Sequence, residues 1–232
     1  MTLLELVNEA AIDIGLPATT SVMASTDPQI KLLRRCATAE AKSLSSRHNW
    51  QALLTEQTFV TLAAAQQTTY AIPTDFDRMI PESMFNRTIN RSISGPVDSN
   101  MWQSIQSTLV TTVYPAFRFR ENFIDITPTP SAGQTVAYEY ITRNWGFNTI
   151  YLSAWSADTD TYRLNDESMI QGIVWRFKKS KGLSWNDDYL VYERYVGDLI
   201  IRDGSRPRIY TDQPNWNLKP VPPWTPDTLV FS

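Results

Sequence analysis

Residues that commonly form disulfides, bind metals or take part in catalysis are scarce in this chain. Its 232 residues include one cysteine, Cys36, and one histidine, His48. A lone cysteine cannot form an internal disulfide, as expected of a protein made in a reducing cytoplasm, and Cys36 is predicted to be a small core side chain. A zinc site of the usual type needs several cysteine or histidine ligands, so no metal site is expected. His48 has no accompanying nucleophile motif, so no catalytic residue is expected either.

Glycine and long apolar runs are also scarce. The eight glycines show neither GxGxxG nor P-loop spacing, so no cofactor is expected. No run of about 18 apolar residues occurs, which predicts no membrane span. Glu5, Glu9 and Asp13 stand where a secretory signal would carry positive charge, so no signal peptide is expected. With 21 Lys and Arg against 24 Asp and Glu, the net charge of −3 indicates no general attraction to nucleic acid or to a membrane.

A short two-faced helix is predicted for Thr2–Ile14. Thr2 and Glu5 have capping-box spacing, in which each side chain can accept the backbone N–H of the other residue. Gly15 and Pro17 supply the stop, because glycine readily ends a helix and proline cannot continue one.

The longest predicted helix spans Thr26–Trp50. Asp27 can act as its N-cap, and Pro28 falls at the first helical position, where its missing N–H has no cost. An apolar stripe recurs at three- and four-residue steps: Ile30, Leu33, Ala37, Ala41 and Leu44. A basic face carries Lys31, Arg34, Arg35 and Lys42. This face is typical of a solvated surface, and contact with an acidic neighbour is the alternative interpretation.

Residues 52–163 are predicted to form short strands and turns. The alternating stretches TFVTL and TYAI, residues 58–62 and 69–72, are predicted to pair as a hairpin. Their candidate inward residues are Phe59, Leu62, Tyr70 and Ile72. A second hairpin is predicted around the turn at Glu121 and Asn122. Six or more short strands at this spacing favour a small antiparallel sandwich or barrel.

The residues of the β region suggest two functions. Its carboxylates are numerous enough for the pair that a glycan hydrolase uses. They are Asp75, Asp77, Glu82, Glu121, Asp125 and Glu139. Exposed Trp102, Trp145 and Trp155 could instead stack on sugar rings. Scattered carboxylates are mostly solvated surface, however, and tryptophans are more often core or interface anchors.

Helical patterning returns after residue 164. Asn165 is predicted to cap a helix that Gly182 ends. Its apolar stripe is Ile170, Ile173, Val174 and Phe177. Ser184 and Asp187 could cap a second helix that runs to Gly204. The stripe of that helix is Tyr189, Tyr192, Val196, Leu199 and Ile200. The short link predicts an antiparallel helical hairpin.

The predicted fold class is α+β. Residues 1–51 and 164–204 are predicted to form a four-helix bundle, because that is the smallest arrangement that buries all four apolar stripes. Residues 52–163 are predicted to be an inserted antiparallel β domain. Residues 205–232 hold six of the fourteen prolines, which predicts an extended C-terminal arm.

The predicted arm is too apolar to favour solvent. In a polyproline conformation it would reach roughly 80 Å, whereas the radius of gyration of a chain this long is only about 17 to 18 Å. We therefore expect the arm to lie on another molecule. The expected partner-binding residues are Tyr210, Trp216, Trp224 and Phe231.

The order of these segments resembles the head-to-tail adaptor proteins of tailed bacteriophages. A capped N-terminal helix is followed by a long helix that ends in HNWQALLTEQTFVTL. The β region contains YAIPTDFDRMI and FIDITPTPSAGQTVAYEYI. The helical hairpin reads NDESMIQGIVWRFKKSKGLSWNDDYLVYERYVGDLIIRDG. The resemblance covers residues 1–204 and includes no catalytic motif.

The resemblance implies a structural virion protein with no enzymatic activity. Members of this family form a ring of twelve subunits that docks on the portal protein, meets tail nozzle or tube proteins, and lets DNA pass without specific binding. The chain would be made in the host cytoplasm and would end at the portal vertex, between head and tail. The alternative is a cell-wall glycan hydrolase or sugar-binding module that uses the β domain.

Overall fold

The structure is a computed structural model that describes residues 1–62, 70–107 and 115–204. Within these residues the helices are α1 (Leu3–Ile14), α2 (Pro28–Arg47), α3 (Ser99–Ser107), α4 (Asp166–Lys181) and α5 (Asn186–Asp203). The strands are β1 (Leu54–Val60), β2 (Tyr70–Ala71), β3 (Phe76–Met79), β4 (Phe85–Asn86), β5 (Arg91–Ser92), β6 (Ala116–Arg120), β7 (Phe123–Thr127), β8 (Thr135–Thr142), β9 (Gly146–Phe147), β10 (Tyr151–Leu152) and β11 (Thr161–Tyr162).

The predicted polar caps of α1, α2 and α4 are confirmed. Thr2 and Glu5 form both hydrogen bonds of the capping box, at 3.3 and 2.8 Å. The side chains of Asp27 and Asn165 each accept a first-turn N–H, at 2.8 and 2.9 Å. Gly182 ends α4 with a φ of 71°, in the left-handed region that glycine adopts without strain.

The start of α5 differs from the prediction. Its N-cap is Trp185, which makes no side-chain capping bond, so the predicted caps Ser184 and Asp187 are wrong. The Trp185 ring packs near the Trp175 ring, with centroids 6.1 Å apart, and the Lys179 ammonium lies 4.9 Å from the Trp185 centroid. Aromatic packing against α4 therefore takes the place of a polar cap at this helix start.

Helices α1, α2, α4 and α5 pack around one hydrophobic core, and α4 contacts the other three. The whole predicted stripe of α2 is buried: Ile30, Leu33, Ala37, Ala41 and Leu44. From α5, Tyr192 and Val196 enter the core. A small sheet has the order β10-β9-β11. Tyr162 of β11 joins the same core, together with Trp145, which directly precedes β9, and Trp155, which follows β10. The predicted α+β fold, with terminal helices packed together and antiparallel β sheets inserted between them, is confirmed.

The other two sheets share a second hydrophobic core. β8 pairs antiparallel with β1, β3 and β4, and β5 extends the sheet from β4. The second sheet has the order β2-β7-β6. Their common core is Tyr70, Met84, Ile93, Phe117, Ile124, Val136, Tyr138 and Tyr140. The predicted hairpin of β6 and β7, with its turn at Glu121 and Asn122, is confirmed.

The predicted hairpin of residues 58–62 with residues 69–72 is wrong. β1 pairs with β8 over seven positions, from Leu54 opposite Ile141 to Val60 opposite Thr135. β2 pairs instead with β7 in the other sheet. Leu62 is 49% exposed and does not face the core. Long pairing with the central strand buries more side chains than a short local hairpin would, and that partner is about eighty residues away along the chain.

A helix interrupts the β region, where only strands and turns are predicted. α3 begins after Asp98, whose carboxylate accepts the N–H of Met101 at 2.7 Å. Trp102 is 2% exposed on this helix, and the Arg118 guanidinium lies 4.3 Å from its ring centroid. A polar cap and one buried aromatic anchor therefore suffice to hold a short helix against β6.

Candidate interaction surfaces

The residues weighed for catalysis have structural partners. His48 lies at the C-terminal end of α2, with Nε2 3.4 Å from an Asp203 carboxylate oxygen and its ring against Trp50. This contact joins the ends of α2 and α5. Among the residues that the structure describes, no group of three or more His, Cys, Asp or Glu side chains could hold a metal ion.

Carboxylates of the β region also serve the fold. Asp75 accepts the hydroxyls of Tyr140 at 3.0 Å and Thr142 at 2.7 Å. Burial and the Asp75 hydrogen bond raise the pKa of Tyr140 to about 12. Asp125 is 2% exposed and pairs with Arg118 at 3.1 Å. Asp75 accepts hydrogen bonds through both oxygens, and Asp125 accepts one through Oδ2, so each has a structural partner.

The tryptophans weighed for sugar stacking are buried. Trp102, Trp145 and Trp155 are 2, 2 and 9% exposed, so the expectation that they are exposed is wrong. Trp145 and Trp155 stack edge to face, with ring centroids 4.8 Å apart, inside the helical core. The interpretation of these residues as core anchors is confirmed, and no sugar-stacking surface forms from them.

A buried charged network joins three helices, and sequence reasoning missed it. Glu40 on α2 is fully buried, and its Oε2 accepts Arg176 Nε of α4 at 2.6 Å. Its Oε1 accepts the hydroxyl of Tyr192 from α5. Burial and the neighbouring Glu40 carboxylate raise the pKa of the Tyr192 hydroxyl. Gly172 provides the space, because an added Cβ would overlap the Glu40 side chain.

One sequence signal could have revealed this network. Glu40 stands between Ala37 and Ala41, within the apolar stripe of α2. A carboxylate at such a position needs a buried partner, because burying an unpaired charge is very costly. Gly172 in the middle of α4 is a matching signal for close helix approach.

A basic groove runs between α2 and α4, with a volume of about 620 Å³. We define it by its lining residues: Leu32, Arg35, Cys36, Ala39, Trp175, Arg176, Lys179, Ser180 and Lys181. Leu32, Ala39 and Trp175 contribute apolar surface to the groove, which we call its apolar floor, and the arginines and lysines contribute positive charge, which we call its rim. The Arg176 guanidinium lies 4.5 Å from the Trp175 ring centroid. Burial raises the pKa of the Cys36 thiol, which fits a core side chain more than a reactive thiolate. The predicted basic face of α2 therefore continues onto α4.

The predicted partner-binding residues Tyr210, Trp216, Trp224 and Phe231 lie outside the described residues.

Within the described residues, Phe147, Ile150 and Tyr151 form an exposed apolar tip. Their exposed fractions are 42, 67 and 59%, respectively. No helix in the described ranges combines the length and apolarity needed to cross a membrane.

The described surfaces thus include a basic groove and an exposed apolar tip. Residues 1–194 match the family model of the SU10 adaptor protein. The match spans most of the chain, and the chain belongs to this family of phage head-to-tail adaptors. The family is one of structural virion components and not of enzymes, so the resemblance drawn from the sequence is confirmed. Comparison with curated proteins gives no match.

Proposed function

We propose that twelve copies of this chain form a ring between the portal protein and the tail nozzle or tube, and that DNA passes through the ring without specific binding. The observation that carries this proposal is the match of residues 1–194 to the adaptor family. The net charge of −3 supports a channel that lets the phosphate backbone slide. We also propose that the chain catalyses no reaction, which the structural roles of His48, Asp75 and Asp125 support.

We propose a separate role for each part of the chain. Residues 1–51 and 164–204 form a bundle that carries the contacts between subunits. Residues 52–163 form the β part, and residues 205–232 are the arm that reaches a portal or a neighbouring subunit. The buried Glu40 network supports this role for the bundle, because it ties α2, α4 and α5 into one rigid unit.

The purified chain is expected to be monomeric or weakly associated and to form a ring only on the portal. Its modest charge and polar outer helix faces suit a subunit that stays soluble until a template arrives. Light scattering after size exclusion, of the chain alone and mixed with portal, measures both states. A stable ring formed without portal would contradict this order of assembly, and a lack of portal binding would contradict the function.

Deleting residues 205–232 is expected to leave a folded protein that docks on the portal at least about tenfold more weakly, since buried aromatic anchors dominate interfaces. Among the described residues, those packed in or against the helical core extend as far as Ile200. The triple substitution Trp216→Ala, Trp224→Ala and Phe231→Ala should reproduce the loss. Asn215→Ala with Asn217→Ala is the matched control, because it changes the same segment and keeps every aromatic anchor. Unfolding of the truncated chain, or undiminished docking, would show this assignment to be wrong.

A further inference from the structure

Charge is segregated between the first two helices. Residues 1–30 contain four acidic residues and no lysine or arginine. Residues 31–47 contain five basic residues, and their one acidic residue is the buried Glu40. Two consecutive helices of a nearly neutral chain therefore present opposite charge to their surroundings.

Three of the four residues of the basic face of α2 form no ion pair within the described part of the chain, and the fourth, Arg34, donates to the backbone oxygen of Met23 at 3.4 Å. Lys31, Arg35 and Lys42 are exposed and form no ion pair with any described residue. Lys179 and Lys181 continue the positive surface along the rim of the basic groove. The apolar floor distinguishes this groove from a plain phosphate-binding surface, because contacts to phosphate oxygens need only positive charge and hydrogen-bond donors.

The acidic face of α1 has the complementary chemistry. Glu9 and Asp13 are exposed, one helical turn apart, and neither forms an ion pair with a described residue. Ile12 lies beside them and is 60% exposed. Glu5 is already held by the capping box. This face thus offers one apolar side chain flanked by two available carboxylates.

The two faces do not pair within one copy. α1 and α2 both pack on α4 and turn these residues away from the core that they share. Complementary faces at different places on one chain favour a heterologous contact between copies. Such a contact repeats from copy to copy, and it closes into a ring when the rotation between neighbouring copies divides a full turn evenly.

We propose that the acidic face of α1 in one copy binds the basic groove of the next copy together with the adjoining basic face of α2. Ile12 lies over the apolar floor, and Glu9 and Asp13 pair with Arg35 and Lys42. This inference rests on the proposed ring and names one of its subunit interfaces. The charges fix the register of neighbouring copies, while the apolar contact excludes water at the centre.

Charge reversal tests the pairing. Glu9→Lys with Asp13→Lys gives a variant in which two lysines of α1 face Arg35 and Lys42. Arg35→Glu with Lys42→Glu gives a variant in which two new carboxylates of α2 face Glu9 and Asp13. Each variant alone should yield about tenfold fewer rings on portal, because both proposed ion pairs at every interface become pairs of like charges. An equal mixture should assemble again in alternation, and so should the chain that carries all four substitutions. Electron microscopy of portal complexes gives the ring yield.

Matched controls apply the same charge changes to exposed residues of α5. They are Asp187→Lys with Asp198→Lys, and Arg194→Glu with Arg202→Glu. We expect both controls to assemble like the unmodified chain. Circular dichroism of every variant verifies folding, and a benzophenone amino acid at Ile12 should crosslink to α2 or α4 of a neighbouring copy.

Three results would overturn the interface. The first is normal ring yield from either single-face variant, and the second is failure of the mixture to assemble. The third is tight, steeply salt-dependent binding of duplex DNA that Arg35→Glu with Lys42→Glu abolishes while rings still form. If the unmodified chain forms rings on portal, these results leave the proposed function in place. Failure of the unmodified chain to bind portal would contradict that function itself.

Discussion

Replacing Glu40 by alanine is expected to lower the free energy of unfolding by about 3 kcal/mol, because the charge of Arg176 and the hydroxyl of Tyr192 lose their shared partner. This is the lower end of the range for breaking a buried ion pair, since the Arg176 side chain keeps 24% exposure and part of its hydration. Urea unfolding followed by circular dichroism gives the free energy of unfolding.

Glu193→Ala is the matched control for Glu40→Ala. Glu193 also pairs with an arginine of another element, Arg47, but their side chains are 28 and 35% exposed. An exposed pair of this kind contributes about 1 kcal/mol or less. If both variants lost the same amount of unfolding free energy, burial would not be the reason why the Glu40 network stabilises the fold.

Replacing Gly172 by alanine is expected to lower the free energy of unfolding by about 1 to 3 kcal/mol, the usual cost of overpacking a core. The added Cβ would overlap Cγ and Cδ of Glu40 and lie 2.8 Å from its Oε1. Because Glu40 is held by two hydrogen bonds, it cannot move aside freely. Thermal and urea unfolding of the variant measure the loss.

Gly197→Ala supplies the control with the same change of residue. Gly197 lies within α5 with open space where its Cβ would be, so alanine should raise the free energy of unfolding by roughly 0.5 to 1 kcal/mol. In a chain that already carries Glu40→Ala, the cost of Gly172→Ala should fall close to zero. If Gly172→Ala lowered the free energy of unfolding as much in the Glu40→Ala chain as in the unmodified chain, contact with Glu40 would not be the cause.

Local features of the fold could be predicted from the sequence. The caps at Thr2, Asp27 and Asn165 each depend on residues two or three positions apart, so the sequence contains the complete interaction. The buried stripe of α2 follows equally from helical periodicity. The cap predicted at Ser184 failed because aromatic packing of Trp185 against another helix determined the start of α5.

Pairing of strands could be predicted only where the partners are neighbours. The hairpin of β6 and β7 has a turn of two residues between its strands, and its prediction is confirmed. β1 instead pairs with β8, and nothing near β1 in the chain identifies that partner. Alternation shows that a segment can be a strand, but the partner depends on which pairing buries most side chains in the complete fold.

The sequence by itself determined the four helices of the bundle, the family resemblance and the basic face of α2, but not α3. Only the tertiary structure decided that this face continues onto α4 as a groove and that Trp102, Trp145 and Trp155 are buried. It also brought Glu40, which is 136 positions from Arg176, into a network of three helices. Caps and periodic stripes are set by neighbours along the chain, whereas burial and ion pairing depend on distant segments that meet only when the chain has folded.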